Sequence, residues 1–151
     1  MESIFKIWNT NREVYLKYLN GYTLEQLNAI PEGFSNNLIW NIGHIVVVQQ
    51  RLVYGASGLP MSVSEELFQH FKNGSKPTGK DSQAMLDHIK TLLPEPLTKT
   101  QQDYNDGVFK TYKEFTTSTG FLISSIEDAI AFNNYHEAMH LGIMMSIRKF
   151  V

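Results

Sequence analysis

The residues able to do chemistry in this chain are mainly histidines: it has five, and no cysteine. His136 and His140 stand four apart in a stretch that reads as one long helix, so their side chains lie about 40° apart on one face. Two imidazoles at that spacing can hold one metal ion through their ring nitrogens. Ala129, Phe132, Ile143 and Ile147 fall on the same stripe by helical angle and are apolar, which turns the pair toward a protein interior. Two core histidines bonded to tyrosine hydroxyls or backbone carbonyls are the plainer alternative. Paired imidazoles at ligand spacing favour a metal over it. The string His136-Glu137-Ala138-Met139-His140 also spells H-E-x-x-H, the zinc-protease pattern in which the Glu is general base toward a metal-bound water. Only eleven residues follow His140, and Ile143 and Ser146 stand where the extended protease motif has its Gly and third His. A third ligand must therefore come from upstream.

His44 is the candidate for that ligand. It lies within Trp40-Asn41-Ile42-Gly43-His44, mid-way along a second helix. Its face carries Asn37, Asn41 and Arg51 mixed with Trp40, Val47 and Val48. Polar groups among bulky apolar ones suit a ligand cleft, and equally an ordinary boundary strip. With His136 and His140, His44 completes a three-nitrogen site that leaves coordination positions open, as catalytic zinc sites do. An all-imidazole donor set suits Zn²⁺ or Ni²⁺ and not Mg²⁺ or Ca²⁺. His70 and His88, among Gln, Lys and Asp, read as incidental.

Four further residues could serve such a site. Glu137, about 100° around the helix from His136, is a candidate general base or a solvated flank residue. Arg51, two turns after His44, could bind a substrate carboxylate bidentately or form a surface ion pair. Trp40 shares the face of His44 and would meet a substrate there. Asn133, one turn before His136, could bond a ligand or orient a histidine. Tyr135 and Met139 point elsewhere and read as packing residues.

The elements that must position these groups are mostly helical. A first helix is expected over residues 2–19, with Ile4, Trp8, Tyr15 and Leu19 as its apolar stripe, Ile7 and Tyr18 alongside, and Asn20-Gly21 as its stop. A helical turn over 24–30 follows Thr23 as N-cap. The second long helix starts at Ser35 or Asn36 and reaches about Tyr54, with Leu38, Ile42, Ile45, Leu52 and Val53 as its main apolar face. A short helix spans 64–71, and a Gly/Pro/Lys loop covers 73–80. The third long helix starts after Asp81 and should break or kink at Pro94 and Pro96, with a further piece over 97–104. Residues 109–123 read as an extended connection with two short strands. The fourth long helix opens on Ser124-Ser125-Ile126-Glu127, a capping box, and runs to the C-terminus with Arg148 and Lys149 in its last turn. Four long helices and little strand predict an all-α four-helix bundle in one domain over residues 1–151. The long segment before the last helix argues against a simple up-down-up-down arrangement.

Composition narrows the function classes. The chain has 151 residues, 42% of them hydrophobic, enough for a core without staples. Thirteen Lys and Arg against fifteen Asp and Glu give a net charge of −2, so no basic field favours nucleic acid. The absence of cysteine excludes disulfides, Fe–S clusters and a cysteine nucleophile. Neither a secretory signal nor an apolar run long enough for a bilayer is evident, so a cytoplasmic protein with no membrane partner is expected.

The motifs resemble those of the DinB/YfiT-like superfamily. These bacterial four-helix bundles hold a divalent metal with one His from the second helix and an H-x-x-x-H pair from the fourth. The matching residues are Trp40-x-x-Gly43-His44 and His136-Glu137-x-x-His140-x-Gly142, and the resemblance spans essentially the whole chain. Pro94, Pro96 and the long Thr/Gly-containing segment before the last helix depart from the pattern. The resemblance implies a metal site at His44, His136 and His140, a homodimer, and a small-molecule substrate. Characterised members include S-transferases using an external thiol such as bacillithiol, and a mycothiol-dependent isomerase, while many others are classed as metal-dependent hydrolases without a known activity. The expected function is thus an enzyme that activates a thiol or a water at a three-histidine metal. A non-catalytic metal or small-ligand binding bundle is the alternative, and a structural bundle that only dimerises is the third.

Overall fold

Short polar side chains set where the helices begin. In the computed structural model, which describes residues 1–151, α1 spans Glu2–Gly21 and α2 spans Leu24–Asn28. Thr23 and Gln26 close a reciprocal capping box at the start of α2, each side chain accepting from the other's backbone N–H. Asn37, Ser64 and Ser82 cap α3 (Leu38–Gln50), α4 (Glu65–Phe71) and α5 (Gln83–Leu92) from one side only, each accepting from a backbone N–H three residues on. α6 spans Glu95–Asn105 and α7 Ile126–Ile147. Two short strands, β1 (Phe115–Thr116) and β2 (Leu122–Ile123), pair antiparallel with Phe115 opposite Ile123. No helix is long and apolar enough to cross a membrane.

Several boundaries differ from the sequence reading for local reasons. The second helix begins at Leu38 rather than 35 or 36, because the Asn37 side chain accepts from Trp40 N–H at 2.9 Å. Its α-helical ladder ends at Gln50 and continues as a single π-helical turn, Arg51–Gly55. The third helix breaks at Leu93 and Pro94, where proline cannot donate to the ladder. The cap of α7 is Ser125, accepting from Asp128 N–H, and Asp128 reaches back to the N–H of Ser124 at 3.0 Å. Glu127 instead accepts from the Tyr104 hydroxyl. α7 ends at Ile147, so Arg148 and Lys149 lie just beyond it. On α1, Ile7 faces outward and Phe5 takes its place in the core.

The long rods form a four-helix bundle with up-down-down-up order. α1 and α7 begin in one apolar cluster, with Phe5, Trp8, Ile126 and Ile130, and end in a larger one, with Tyr15, Leu19, Met144 and Ile147. α3 with its π turn, and α5 with α6, run the other way: Leu38 and Leu86 belong to the larger cluster, Val53 and Leu97 to the smaller. The second and third rods are therefore parallel, and residues 56–82 must cross the length of the bundle to join them. That crossover, not the segment before α7, breaks the simple alternation.

α3 is the central rod. All its residues but Val48 are buried, because α1, α2, α4, α5 and α7 surround it. The single apolar face expected from sequence is thus an apolar circumference. The crossover lays α4 onto α3 at Gly43, where a Cβ would stand 2.6 Å from the buried ring of Phe71. Gly43→Ala should destabilise the protein by about 1–3 kcal/mol despite the better helix propensity of Ala, since the ring has no free volume to yield. Urea unfolding measures this, and an unchanged midpoint would show that α4 is not seated as described.

Candidate metal centre

The central rod and the last rod bring the three sequence-predicted histidines together. His44 projects from α3, and His136 and His140 from α7. Ring centroids are 4.8 Å apart for His44 and His140, 5.2 Å for His44 and His136, and 4.6 Å for His136 and His140. One nitrogen from each ring falls within 4.8 Å of the others, a group that could hold a metal ion. All three are buried, at 5% exposure for His44 and 9% for each of the others.

A buried imidazole must place its N–H, and two of these rings do so on oxygen acceptors. His44 Nδ1–H donates to the carbonyl of Phe71 at 2.7 Å. Phe71 is the last residue of α4, so that carbonyl has no helical partner of its own. His140 Nδ1–H donates to Asn41 Oδ1 at 2.7 Å. The Asn41 amide is oriented in turn by donating to the Asn37 carbonyl at 2.6 Å. Asn37 is held by its own amide on the Asn28 carbonyl at 3.0 Å. With Nδ1 engaged, each ring keeps an Nε2 lone pair free, the arrangement metal-ligating histidines use. His136 Nδ1 is buried with no hydrogen-bond partner. Burial, and then the neighbouring rings, push the pKa values of His136 and His140 down to about 3 and about 2, and burial lowers that of His44 as well. The lone pairs are therefore available near neutral pH. Ring nitrogens with anchored tautomers are the donor chemistry that zinc and similar borderline ions accept.

The triad lines a cleft of about 1010 Å³. Trp40 forms part of its wall, stacked on His44 with ring centroids 4.7 Å apart and planes 14° from parallel. Its indole N–H donates to Ser75 Oγ at 3.0 Å. Arg51, at the start of the π turn, lines the opening. The β-hairpin segment supplies a further wall, pinned to the π turn by Lys113 N–H on the Ala56 carbonyl at 2.7 Å.

Glu137 and Asn133 are placed differently from the sequence expectation. Neither lines the cleft. Glu137 is fully buried on the side of α7 facing α1, where its Oε1 accepts from Arg12 at 2.6 Å and from the Asn133 amide at 2.8 Å. The Tyr15 hydroxyl donates to the Glu137 backbone carbonyl. Burial pushes the Glu137 carboxyl upward, with Arg12 and the amides of Asn133 and Asn11 opposing. Glu137 is thus not a solvated flank residue: its carboxylate is spent on Arg12 and Asn133. The buried face of α7 is correspondingly wider than the predicted stripe: Asn133, Glu137 and Met144 are buried, and Phe132 and Ile143 only half so. Sequence reasoning missed Arg12, although its place between Trp8 and Tyr15 on the apolar stripe of α1 was a signal. It also missed the roles of Asn41 and the Phe71 carbonyl. Of the two histidines set aside, His70 bonds Asp81 at 2.7 Å, and His88 is exposed.

Two outcomes follow. Glu137→Gln leaves the Arg12 charge buried without a counter-charge and should cost about 3–5 kcal/mol, most of it recovered when Arg12 and Glu137 are both replaced by Leu. Urea unfolding of the three proteins measures this. Separately, between the ordinary histidine pKa of 6.5 and about pH 5, the unfolded chain takes up protons that the folded triad refuses. Chelator-treated protein should therefore lose thermal stability as pH falls through that window, and His136→Asn should flatten the slope. A slope as steep in the variant would place the proton uptake elsewhere.

The comparisons with known proteins agree with this geometry. The family model of the DinB superfamily matches residues 7–144, a span that includes all three histidines and the whole of α3. No curated protein matches the chain. With the family model covering nearly all of its length and the helical bundle in place, the chain belongs to the DinB superfamily.

Proposed function

We propose that this protein is a metal-dependent enzyme acting on a small molecule, with His44, His136 and His140 as ligands to one divalent ion, zinc or nickel. The observation that supports it is the pair of anchored tautomers: Phe71 and Asn41 fix two Nδ1–H groups so that the remaining nitrogens converge with His136 in an open cleft. When bound, such an ion supplies Lewis acidity, which ionises a thiol or a water near neutral pH. The chain has no cysteine, so a thiol nucleophile comes from an external low-molecular-weight thiol. S-transfer and hydrolysis are the two reaction types this supports.

In this reading the chain's own groups have separate duties. Trp40 and Arg51 face the substrate. Trp40 also covers one face of the His44 ring and limits water there. Asn133 and Glu137 hold α7 against α1 and so position His136 and His140 along it; they are positioning residues that move no proton. A homodimer completes the reading, on the family resemblance alone.

Elemental analysis of tag-free protein purified without chelator tests the proposal. About one zinc or nickel per chain is expected, lost in His44→Ala and His140→Ala with the helical circular dichroism unchanged. Asn41→Ala should keep the site but lower metal affinity by about 10–100-fold. No metal after reconstitution overturns the proposal. Metal bound without turnover of thiol-transfer or hydrolysis substrates would leave a binding protein.

A further inference from the structure

The charge of the cleft is one-sided. Arg51, Lys72 and Lys113 line it, and no Asp or Glu does. None of the three is in an ion pair. This is unusual in a chain whose acids outnumber its bases, fifteen to thirteen. The three cations come from three separate segments, each tied to the histidine cluster. Arg51 opens the π turn that continues α3. Lys72 directly follows Phe71, whose carbonyl orients His44. Lys113 is set beside the π turn by its own backbone bond to the Ala56 carbonyl. Gly55 adds a specific device: a Cβ there would stand 3.2 Å from Arg51 Cδ, so the bare backbone makes room for the arginine stem. The apolar part of the lining is mainly Trp40, Val48, Leu52, Phe68 and Phe115, alongside the uncharged polar Asn36, Asn73, Thr117 and Ser118.

We infer that the cleft takes a small organic anion: an apolar or aromatic body lying against Trp40, Phe68 and Phe115, with carboxylate or phosphate oxygens held by Arg51, Lys72 and Lys113. The inference deepens the metal-enzyme reading above by naming its substrate class. The planar guanidinium of Arg51 suits two oxyanion oxygens at once, while the lysines act as point charges. A volume of about 1010 Å³ admits a ligand of this kind. The unpaired cations also raise the local concentration of anions before contact, an effect that salt screens.

Calorimetric titration of the full chain tests this with three probes: phenylsuccinate, phenyl phosphate and the neutral phenylsuccinamide. Each is run on zinc-loaded and on chelator-treated protein. At least one anionic probe should bind about tenfold more tightly than the neutral one, in both preparations. That preference should fall about tenfold in the Arg51→Gln/Lys72→Gln/Lys113→Gln variant, since exposed charge pairs are worth only a few-fold each. It should also weaken as salt rises. The stronger of the two anionic probes identifies the oxyanion. Equal binding of neutral and anionic probes overturns the inference, as does an undiminished preference in the triple variant. Anion binding that disappears with chelation yet survives the triple variant overturns it too, because the metal alone would then be the anion site. Zinc content of the triple variant is measured alongside and should equal that of the parent. Failure of the parent to load zinc sinks the metal proposal without touching the probe comparison.

Discussion

An imidazole enclosed by helices carries one N–H that needs an acceptor, and that requirement governs the arrangement around it. His44 meets it with the terminal carbonyl of α4, and His140 with the side chain of Asn41 on α3. Each solution imposes a further one. For the Phe71 carbonyl to reach His44, α4 must lie close on α3, which requires glycine at 43 and a crossover long enough to carry α4 across the bundle. For Asn41 to present its oxygen rather than its nitrogen, the amide must be spent elsewhere, and the Asn37 carbonyl takes it. The parallel order of the second and third rods is the topological expression of the same need. A short hairpin between them would leave no segment to place α4.

α7 divides its polar work between two sides. One carries His136 and His140 toward α3 and the cleft. The other carries Asn133 and Glu137 toward Arg12 on α1. Glu137 is next to His136 in sequence, so the buried ion pair fixes the rotation of the helix at the residue where ligand geometry is most sensitive. A buried pair adds little net stability over apolar groups of similar volume. Its value here lies in excluding other rotations of α7, since any turn of that helix would strand a charge.

Much of this was legible in the sequence. The start of α2 was, because Thr23 is a local cap whose partner lies three residues away; the start of α3 was read two or three residues early and the cap of α7 one residue early. The histidine pair was legible from its spacing, and His44 from its surroundings. The burial of Glu137 was not legible, because helical angle gives a direction but not what waits there, and its partner is 125 positions distant. The roles of Asn41 and Phe71 were hidden for a similar reason: an acceptor carbonyl belongs to the backbone and leaves no residue-type signature. The apolar face assigned to the second helix is buried, but so are its other sides, because a rod surrounded on all sides has no outward face.

The π turn at Arg51–Gly55 has a consequence for how such a cleft can diversify. A π turn accommodates one residue more than the α-helical ladder allows. It therefore re-aims the end of the rod without disturbing the register of Asn41, Gly43 and His44 upstream. The hairpin segment is anchored to this turn rather than to the histidines, through Lys113 on Ala56, the Tyr112 hydroxyl on the Leu52 carbonyl and Thr111 on Ser57. The hairpin part of the wall is thus held by the π turn and not by the groups that orient the imidazoles, whereas Trp40 and Lys72 belong to the same elements as those groups. Substitution in the hairpin part can redirect specificity while leaving the Phe71 carbonyl and Asn41 in place. A lineage built on this plan is free to exchange substrates without rebuilding its centre.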